Sequence, residues 1–292
     1  MADSGKILVT GATGNVGSAL LNYLDITEND VRALTHDESK AQSLREQGVE
    51  VVAGDLFKPE TLGPAFEGVG AFFHLTPVTP EQVSLGNNLT RAAKESGNDP
   101  RVVRLSAIKA SHEDSLRVSR QHAEIEDEIK SSGLPYTLLQ PNLYMQNTLM
   151  SAKTVASEGK IYQSFKDGKV GMIDVRDIGE VAAKVLTEEG HEGKTYTLTG
   201  PESISYHDVS AVLSEILGKE VDYVDVPLEA AKEFMMNMGF PEWMAEAFNE
   251  YNKANSEGYG DITTNDVERL TGHPATSYKK FASDFAQVFR GS

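Results

Sequence analysis

The chain contains no cysteine among its 292 residues. That absence excludes disulfides, thiolate zinc sites and cysteine nucleophiles, and it suits a reducing, cytoplasmic compartment. Basic residues are scarce, with 27 Lys and Arg against 44 Asp and Glu and a formal net charge of −17. Such a surface repels phosphate backbones and anionic lipid, so neither nucleic acid nor a membrane is an expected partner. No apolar run approaches the length of a bilayer span. Met1-Ala2-Asp3-Ser4 leads straight into an apolar run, which leaves no expected signal peptide. Repeats, low-complexity tracts and long linkers are missing too, and no cluster of residues reads as a metal site. What remains is an ordinary globular composition, 39% hydrophobic and 24% charged, long enough for one large α/β domain or two smaller ones.

What is present is concentrated in the first thirty residues. An apolar run over 6–10 breaks into Gly11-Ala12-Thr13-Gly14-Asn15-Val16-Gly17 and continues as a helical pattern through Leu24. Three glycines at this spacing, between a strand and a helix, match the needs of a dinucleotide. Gly11 permits the tight turn, Gly14 lets backbone approach a pyrophosphate, and Gly17 lets helix and strand pack closely. The N–H groups of Thr13, Gly14, Asn15 and Val16 then face the anion at the positive end of a helix.

Apolar runs alternate with helical patterns through the first half. Strands are expected over 6–10, 31–35, 49–53, 71–75, 102–106 and 136–140, with helices such as 81–96 and 116–131 between them. This alternation defines an α/β fold: a doubly wound parallel sheet of Rossmann type with right-handed crossovers. Beyond Pro141 the pattern predicts helices over 151–159, 175–186, 206–217, 228–238, 242–255 and 277–289. Short strands are predicted over 170–173, 195–199 and 221–226. The expected organisation is a dinucleotide-binding core over 1–150, with 170–200 returning to it, and a smaller, mainly helical lid over 201–292.

Five segments carry a resemblance to a known family. They are Thr10 through Gly17, Gly54-Asp55-Leu56, Ser132-Gly133-Leu134-Pro135-Tyr136-Thr137-Leu138-Leu139, Ile173-Asp174-Val175-Arg176-Asp177-Ile178 and Val185-Leu186-Thr187-Glu188-Glu189-Gly190-His191. Together they resemble the extended and atypical branches of the short-chain dehydrogenase/reductase superfamily, and within it the NmrA-like group, over nearly the whole chain. The resemblance implies that Asp55 and Leu56 lie beside the adenine, and that Thr76 and Pro77 flank the pyrophosphate and nicotinamide ribose. It also places Asn142 and Leu143 against the nicotinamide ring. Asp55 has a second reading, as a cap on the turn before Pro59.

The end of the second strand bears on the choice of cofactor. An acid there would accept a ribose 2′-hydroxyl, whereas basic residues favour a 2′-phosphate. The strand ends Leu34-Thr35-His36, with Arg32 inside it and Lys40 beyond, so NADP is expected and NAD is the alternative. Arg32 reads equally as a surface strand residue and Lys40 as a solvated helix residue.

Most members of the superfamily use a Tyr-x-x-x-Lys pair, the tyrosine donating a proton and the lysine holding the nicotinamide ribose. Counted back from Leu134-Pro135-Tyr136 as relatives align, His122 falls at the lysine position and Val118 at the tyrosine position. The resemblance therefore implies hydride transfer to an acceptor that absorbs charge itself, such as a quinone, an iminium ion or a carbocation dye. Members with this loss reduce such acceptors.

Three candidate catalytic residues follow, each with a plainer reading beside it. His122 either touches the nicotinamide ribose or delivers a proton, or else pairs with Glu126 one turn later. Ser106 orients substrate or closes a strand end. Tyr144 stacks on substrate, acts as a displaced acid, or only opens the following helix. The Phe234-Met235-Met236-Asn237-Met238-Gly239-Phe240-Pro241-Glu242-Trp243-Met244 cluster is core, or it lines a pocket for a flat apolar or aromatic ligand. The leading expectation is an NAD(P)H-dependent reductase. The alternative is a non-catalytic redox sensor that acts through a protein partner, and an epimerase would need the Tyr-Lys pair. Oligomeric state stays open.

Overall fold

The computed structural model describes residues 5–291. Its main sheet has seven strands in the order β3-β2-β1-β4-β5-β6-β8. These are β1 Lys6–Thr10, β2 Val31–Thr35, β3 Glu50–Ala53, β4 Val69–His74, β5 Arg101–Leu105, β6 Tyr136–Pro141 and β8 Lys194–Leu198. Pairs β1–β2, β2–β3, β1–β4, β4–β5 and β5–β6 run parallel, with the order reversing at β1, as a doubly wound sheet requires. Strands buried on both faces read as continuous apolar runs, which is why Ile7-Leu8-Val9 and Phe72-Phe73 form the middle of the sheet.

Helices cover the sheet by the faces their sequences define. In α1, Asn15–Tyr23, the buried residues Val16, Ala19 and Leu20 recur at helical spacing. In α3, Gln82–Glu95, Leu85 and Leu89 turn inward. In α4, Arg117–Ser131, the buried stripe is Val118, His122, Ile125 and Ile129. A polar ring thus occupies a core position. Leu8, Phe66, Phe72, Leu89, Val102, Ile125 and Ile129 belong to one core cluster, and each large side chain so buried contributes about 1.5–3 kcal/mol.

The chain divides into two compact units. One comprises the residues up to Gln140 together with Ile178–Tyr196, and the other comprises Pro141–Asp177 and the residues from Thr197 onward. The second unit has its own core, including Val155, Ile161, Phe165, Tyr206, Tyr278, Phe281 and Phe289. Its strands β7, Lys160–Gln163, and β9, Asp222–Asp225, pair in parallel. Helix α7, Tyr206–Leu217, opens with a reciprocal Ser205–Asp208 capping box and closes at Gly218 in the left-handed conformation. Helices α8, Leu228–Asn237, and α9, Glu242–Ser256, follow.

The run 170–173 is not a strand, contrary to expectation. Met172 N–H donates to Val170 O two residues back, a tight turn that breaks any ladder, and Gly171 N–H goes to Gly260 O. Only isolated bridges remain, Val170 with Ile204 and Ile173 with Tyr144. The expected helix over 277–289 is two, Tyr278–Asp284 and Ala286–Phe289, which meet at Phe285. Among the described residues no helix is long and apolar enough to cross a membrane, and no cluster of ligating side chains could hold a metal ion.

Candidate active site

The ends of β1 and β4 are tied by Thr10. Its buried hydroxyl lies 2.9 Å from Phe73 O and 2.8 Å from Leu75 O, and accepts the Leu75 N–H at 2.8 Å. The chain then turns through Gly11 at φ +66°, a conformation that L residues rarely adopt. A methyl at Gly17 would sit 2.1 Å from Gly11 O, so only glycine lets α1 press on this turn. At Gly14 the same methyl would meet only Gly11 O, at 3.4 Å.

Thr13, Gly14 and Asn15 are exposed, whereas Val16 is buried beneath them. Gly14 caps α1 without any side-chain hydrogen bond, and no acid stands in the first turn. A helix start that is exposed, uncapped and free of carboxylate fits an anionic pyrophosphate.

The basic residues near β2 differ in exposure. Arg32, expected at a cofactor phosphate, is instead committed within the protein. It is 5% exposed, and its Nη2 donates to Glu50 at 2.9 Å while Nη1 donates to Ala65 O at 2.9 Å and Glu67 O at 2.8 Å. Arg32 and Glu50 are direct cross-strand neighbours of β2 and β3, so their pairing is set by register. His36 and Lys40 are exposed at the end of β2 and in the first turn of α2, Glu38–Glu46. Asp37 is occupied as the cap of α2, its carboxylate held below the usual range by the Ser39 hydroxyl. Its nearest cation is Lys40 at 3.6 Å.

Asp55 caps its own turn, accepting Phe57 N–H at 3.0 Å, and Leu56 is half-buried against the core with Asn88 Nδ2 donating to its carbonyl at 2.9 Å. Thr76 is buried and its Oγ1 accepts from Arg104 at 3.1 Å, while Pro77 is exposed.

A polar cluster that the sequence reading did not anticipate lies beneath Thr76. Arg104, fully buried in β5, is the cross-strand neighbour of His74 in β4. Its Nη1 donates to His74 Nδ1 at 3.0 Å and its Nη2 to His122 Nδ1 at 3.1 Å. His74 Nε2 lies 3.1 Å from Gly86 O, to which it donates. Burial first, and Arg104's charge second, push His74 down to about 3. Burial, Arg104 and His74 likewise hold His122 well below the ordinary histidine value.

His122 is therefore a neutral imidazole, not the proton-delivering imidazolium considered from sequence. Nor is it paired with Glu126. The buried Glu126 carboxylate instead takes Ser106 Oγ–H at 2.6 Å and Gln140 Nε2–H at 2.9 Å on Oε1, with Lys130 3.3 Å from Oε2. A charged residue inside the apolar Arg101–Leu105 run was the available signal for Arg104.

The segment after β6 belongs to the second unit. The buried Asn142 amide is held by the backbone, donating one N–H to Gly260 O at 2.9 Å and accepting Leu143 N–H at 2.9 Å. Tyr144 is half-buried and stands at the N-cap of a 3₁₀ helix, Met145–Ser151. Leu143 lines a cavity of about 250 Å³ with Phe165, Tyr206, Phe234, Met235 and Phe248. Among its described lining residues there is no Asp, Glu, Lys, Arg or His; the polar atoms come from Asn, Gln, Ser, Thr and Tyr. Phe234, Met236 and Met238 remain exposed on and just after α8, whereas Met235 is core. The Asp174-Val175-Arg176-Asp177 run is a brace. Arg176 chelates Asp174 at 2.6 Å and reaches Asp284 at 2.8 Å, and Asp177 accepts the Thr276 N–H and hydroxyl at 2.8 Å each.

A doubly wound sheet, a glycine turn before an uncapped helix and an uncharged cavity together define the class of Rossmann-type dinucleotide-binding proteins. A sequence model of the NmrA-like family matches residues 3–282, and the chain belongs to that family. It is 38% identical over 283 residues to an NAD(P)H azoreductase of Xenophilus azovorans, covering 97% of this chain and 99% of the relative. The structure of Citrobacter sp. triphenylmethane reductase complexed with NADP(H) is similar with a TM-score of 0.85 at 30% identity, covering 96% of this chain and 99% of that one. An Escherichia coli NADPH-dependent quinone oxidoreductase complexed with NADPH gives 0.86 at 28% identity, covering 96% and 99%.

Proposed function

We propose that the protein is a reductase that binds NADPH, with NADH as the weaker alternative, and passes hydride to a small, uncharged, conjugated acceptor such as a quinone or an azo compound. The observation that carries this reading is the cavity at Leu143, Phe165 and Phe248, whose aromatic and aliphatic walls suit a flat molecule and hold no charge to pair with an ionic one. The azoreductase and quinone oxidoreductase relatives support the same substrate class. Residues 201–292, together with 141–177, are proposed to bind the acceptor.

The first unit holds the cofactor. The backbone at Thr13, Gly14 and Asn15 takes the pyrophosphate, His36 and Lys40 attract the 2′-phosphate, and Asp55 and Leu56 border the adenine. Bound reduced nicotinamide supplies the hydride. His122 offers its Nε2–H to the nicotinamide ribose. Val118 stands where the superfamily's tyrosine would, and valine donates no proton. A conjugated acceptor removes that need: it takes hydride with the charge delocalised, and one proton from water completes a hydroquinone from a quinone.

The test is calorimetric titration of NADPH and NADH, followed by adding a quinone and an azo dye while the reduced-nicotinamide absorbance is read. Loss of that band in proportion to protein is expected. Tight binding with a stable band across both acceptors would leave the redox-sensor alternative, and no cofactor binding would end both readings.

A further inference from the structure

We infer that Arg104 is a positioning residue that fixes His122 as its Nε2–H tautomer, so that the ring meets a ligand only as a hydrogen-bond donor. The inference rests on the reading above for what the ligand is, but the tautomer itself is a property of this chain alone.

The geometry is that of one guanidinium bridging two rings. A guanidinium carries donors only and stays charged throughout the accessible pH range, so any ring nitrogen it contacts must accept. Arg104 Nη2 lies 3.1 Å from His122 Nδ1 and Nη1 lies 3.0 Å from His74 Nδ1. Each Nδ1 is therefore a lone pair, and each ring proton must sit on Nε2. For His74 that proton is used by Gly86 O at 3.1 Å. His122 Nε2 has no protein acceptor among the described residues, so its proton is the one polar feature of this buried ring left for a ligand.

The surroundings keep the arrangement single. Facing His122 are Arg104 from β5 and His74 from β4. On α4 itself the carboxylate one turn beyond His122 is Glu126, already shared by Ser106, Gln140 and Lys130, while Glu124 is exposed. A second positive charge on His122 would face the guanidinium, which opposes protonation. The flat fork of arginine suits this task because its two Nη atoms reach two rings at once, and a lysine ammonium is a single point.

The experiment is long-range ¹H–¹⁵N NMR on ¹⁵N-histidine-labelled protein, with the His122→Ala spectrum assigning the signal. The expected result is an Nε2–H ring for His122 that does not titrate between about pH 5.5 and 8. Arg104→Lys is expected to give mixed tautomers and a titration inside that range. Nδ1–H at His122 in the parent protein, a titrating parent ring, or an unchanged tautomer in folded Arg104→Lys would each overturn the inference. If Arg104→Lys does not fold, the parent spectrum alone decides. NADPH calorimetry on His122→Ala tests the other reading separately. About fivefold to tenfold weaker binding is expected for one lost hydrogen bond, and unchanged binding would remove the ribose contact while leaving the tautomer result standing.

Discussion

Ser106 donates its hydroxyl proton to Glu126 over 2.6 Å, and both residues are buried. The proton is thereby committed within the protein, and what Ser106 offers a ligand is a lone pair. On the proposed reading, Ser106 therefore orients a ligand by accepting from it and does not supply the proton. Ser106→Ala should cost about 1.5–3 kcal/mol of stability, the range for a hydrogen bond to a charged group, because Glu126 keeps only Gln140 and Lys130. Urea unfolding reads that loss, and turnover should change far less than a missing acid would cause. A hundredfold loss of kcat at unchanged stability would restore Ser106 as a proton donor.

The glycine turn separates folding from binding. Gly17→Ala drives a methyl into Gly11 O and should destabilise the protein by several kcal/mol, as overpacking against rigid backbone does. At Gly14 an added Cβ makes only an ordinary contact with Gly11 O, at 3.4 Å, so Gly14→Glu should melt near the parent temperature while its carboxylate abolishes NADPH binding. Thermal melts read beside NADPH titrations check both. A Gly14→Glu protein that still binds NADPH normally would move the pyrophosphate away from α1.

Cofactor choice should follow the exposed basic residues and not the buried one. His36→Asp is expected to lower the NADPH-to-NADH preference at least tenfold, by placing a carboxylate against the 2′-phosphate. Arg32→Ala should leave that preference alone and instead lose about 3 kcal/mol or more, since it strips a buried cation from Glu50 and three carbonyls. Ratios of kcat/KM for the two cofactors and denaturant midpoints distinguish the two effects.

These contrasts mark what was legible in the sequence. The strand at 31–35 was plain from its apolar run, but the direction of Arg32 depends on strand register, and register is a property of the pair Arg32–Glu50, not of either segment. Arg104 hid for the same reason: its meaning comes from His74 on the neighbouring strand and His122 on a helix. The glycine turn needs no distant partner and could be read locally. In the second unit, the apolar run at 170–173 looked like a strand, whereas Met172 bonds back to Val170 and the other groups split among Ile204, Gly260, Leu143 and Met145. The short strand Lys160–Gln163 gave no period to read because it pairs on one side only, with Asp222–Asp225.

The two buried histidines make stability fall in mild acid. At neutral pH both rings are neutral in either state. As pH drops below the unfolded value of 6.5, the unfolded chain takes up protons that the folded rings refuse, His74 until about 3. The unfolded state then binds more protons, so stability declines with falling pH. At about pH 5 His74 accounts for roughly 2 kcal/mol, and His122 acts in the same direction. Urea midpoints between pH 7 and 5 should show this slope, and His122→Asn should make it shallower. A flat profile would mean that these rings are protonated in the folded protein.

Charge selectivity should be strong at the cavity proposed to take the acceptor. Its described lining residues around Phe165, Tyr206 and Phe248 include no cation to pair with an anionic group, and the chain as a whole carries −17. Moving a sulfonate into such a site costs desolvation with no compensating partner. A sulfonated azo dye should therefore show a kcat/KM at least tenfold below that of its unsulfonated parent, with the difference mainly in KM. Added salt screens only the long-range repulsion, so it should recover a small part of that gap. Asn252→Arg places a cation on the cavity wall and should narrow the gap from the other side. Equal turnover of the two dyes by the parent protein would show that the acceptor is bound elsewhere than in this cavity.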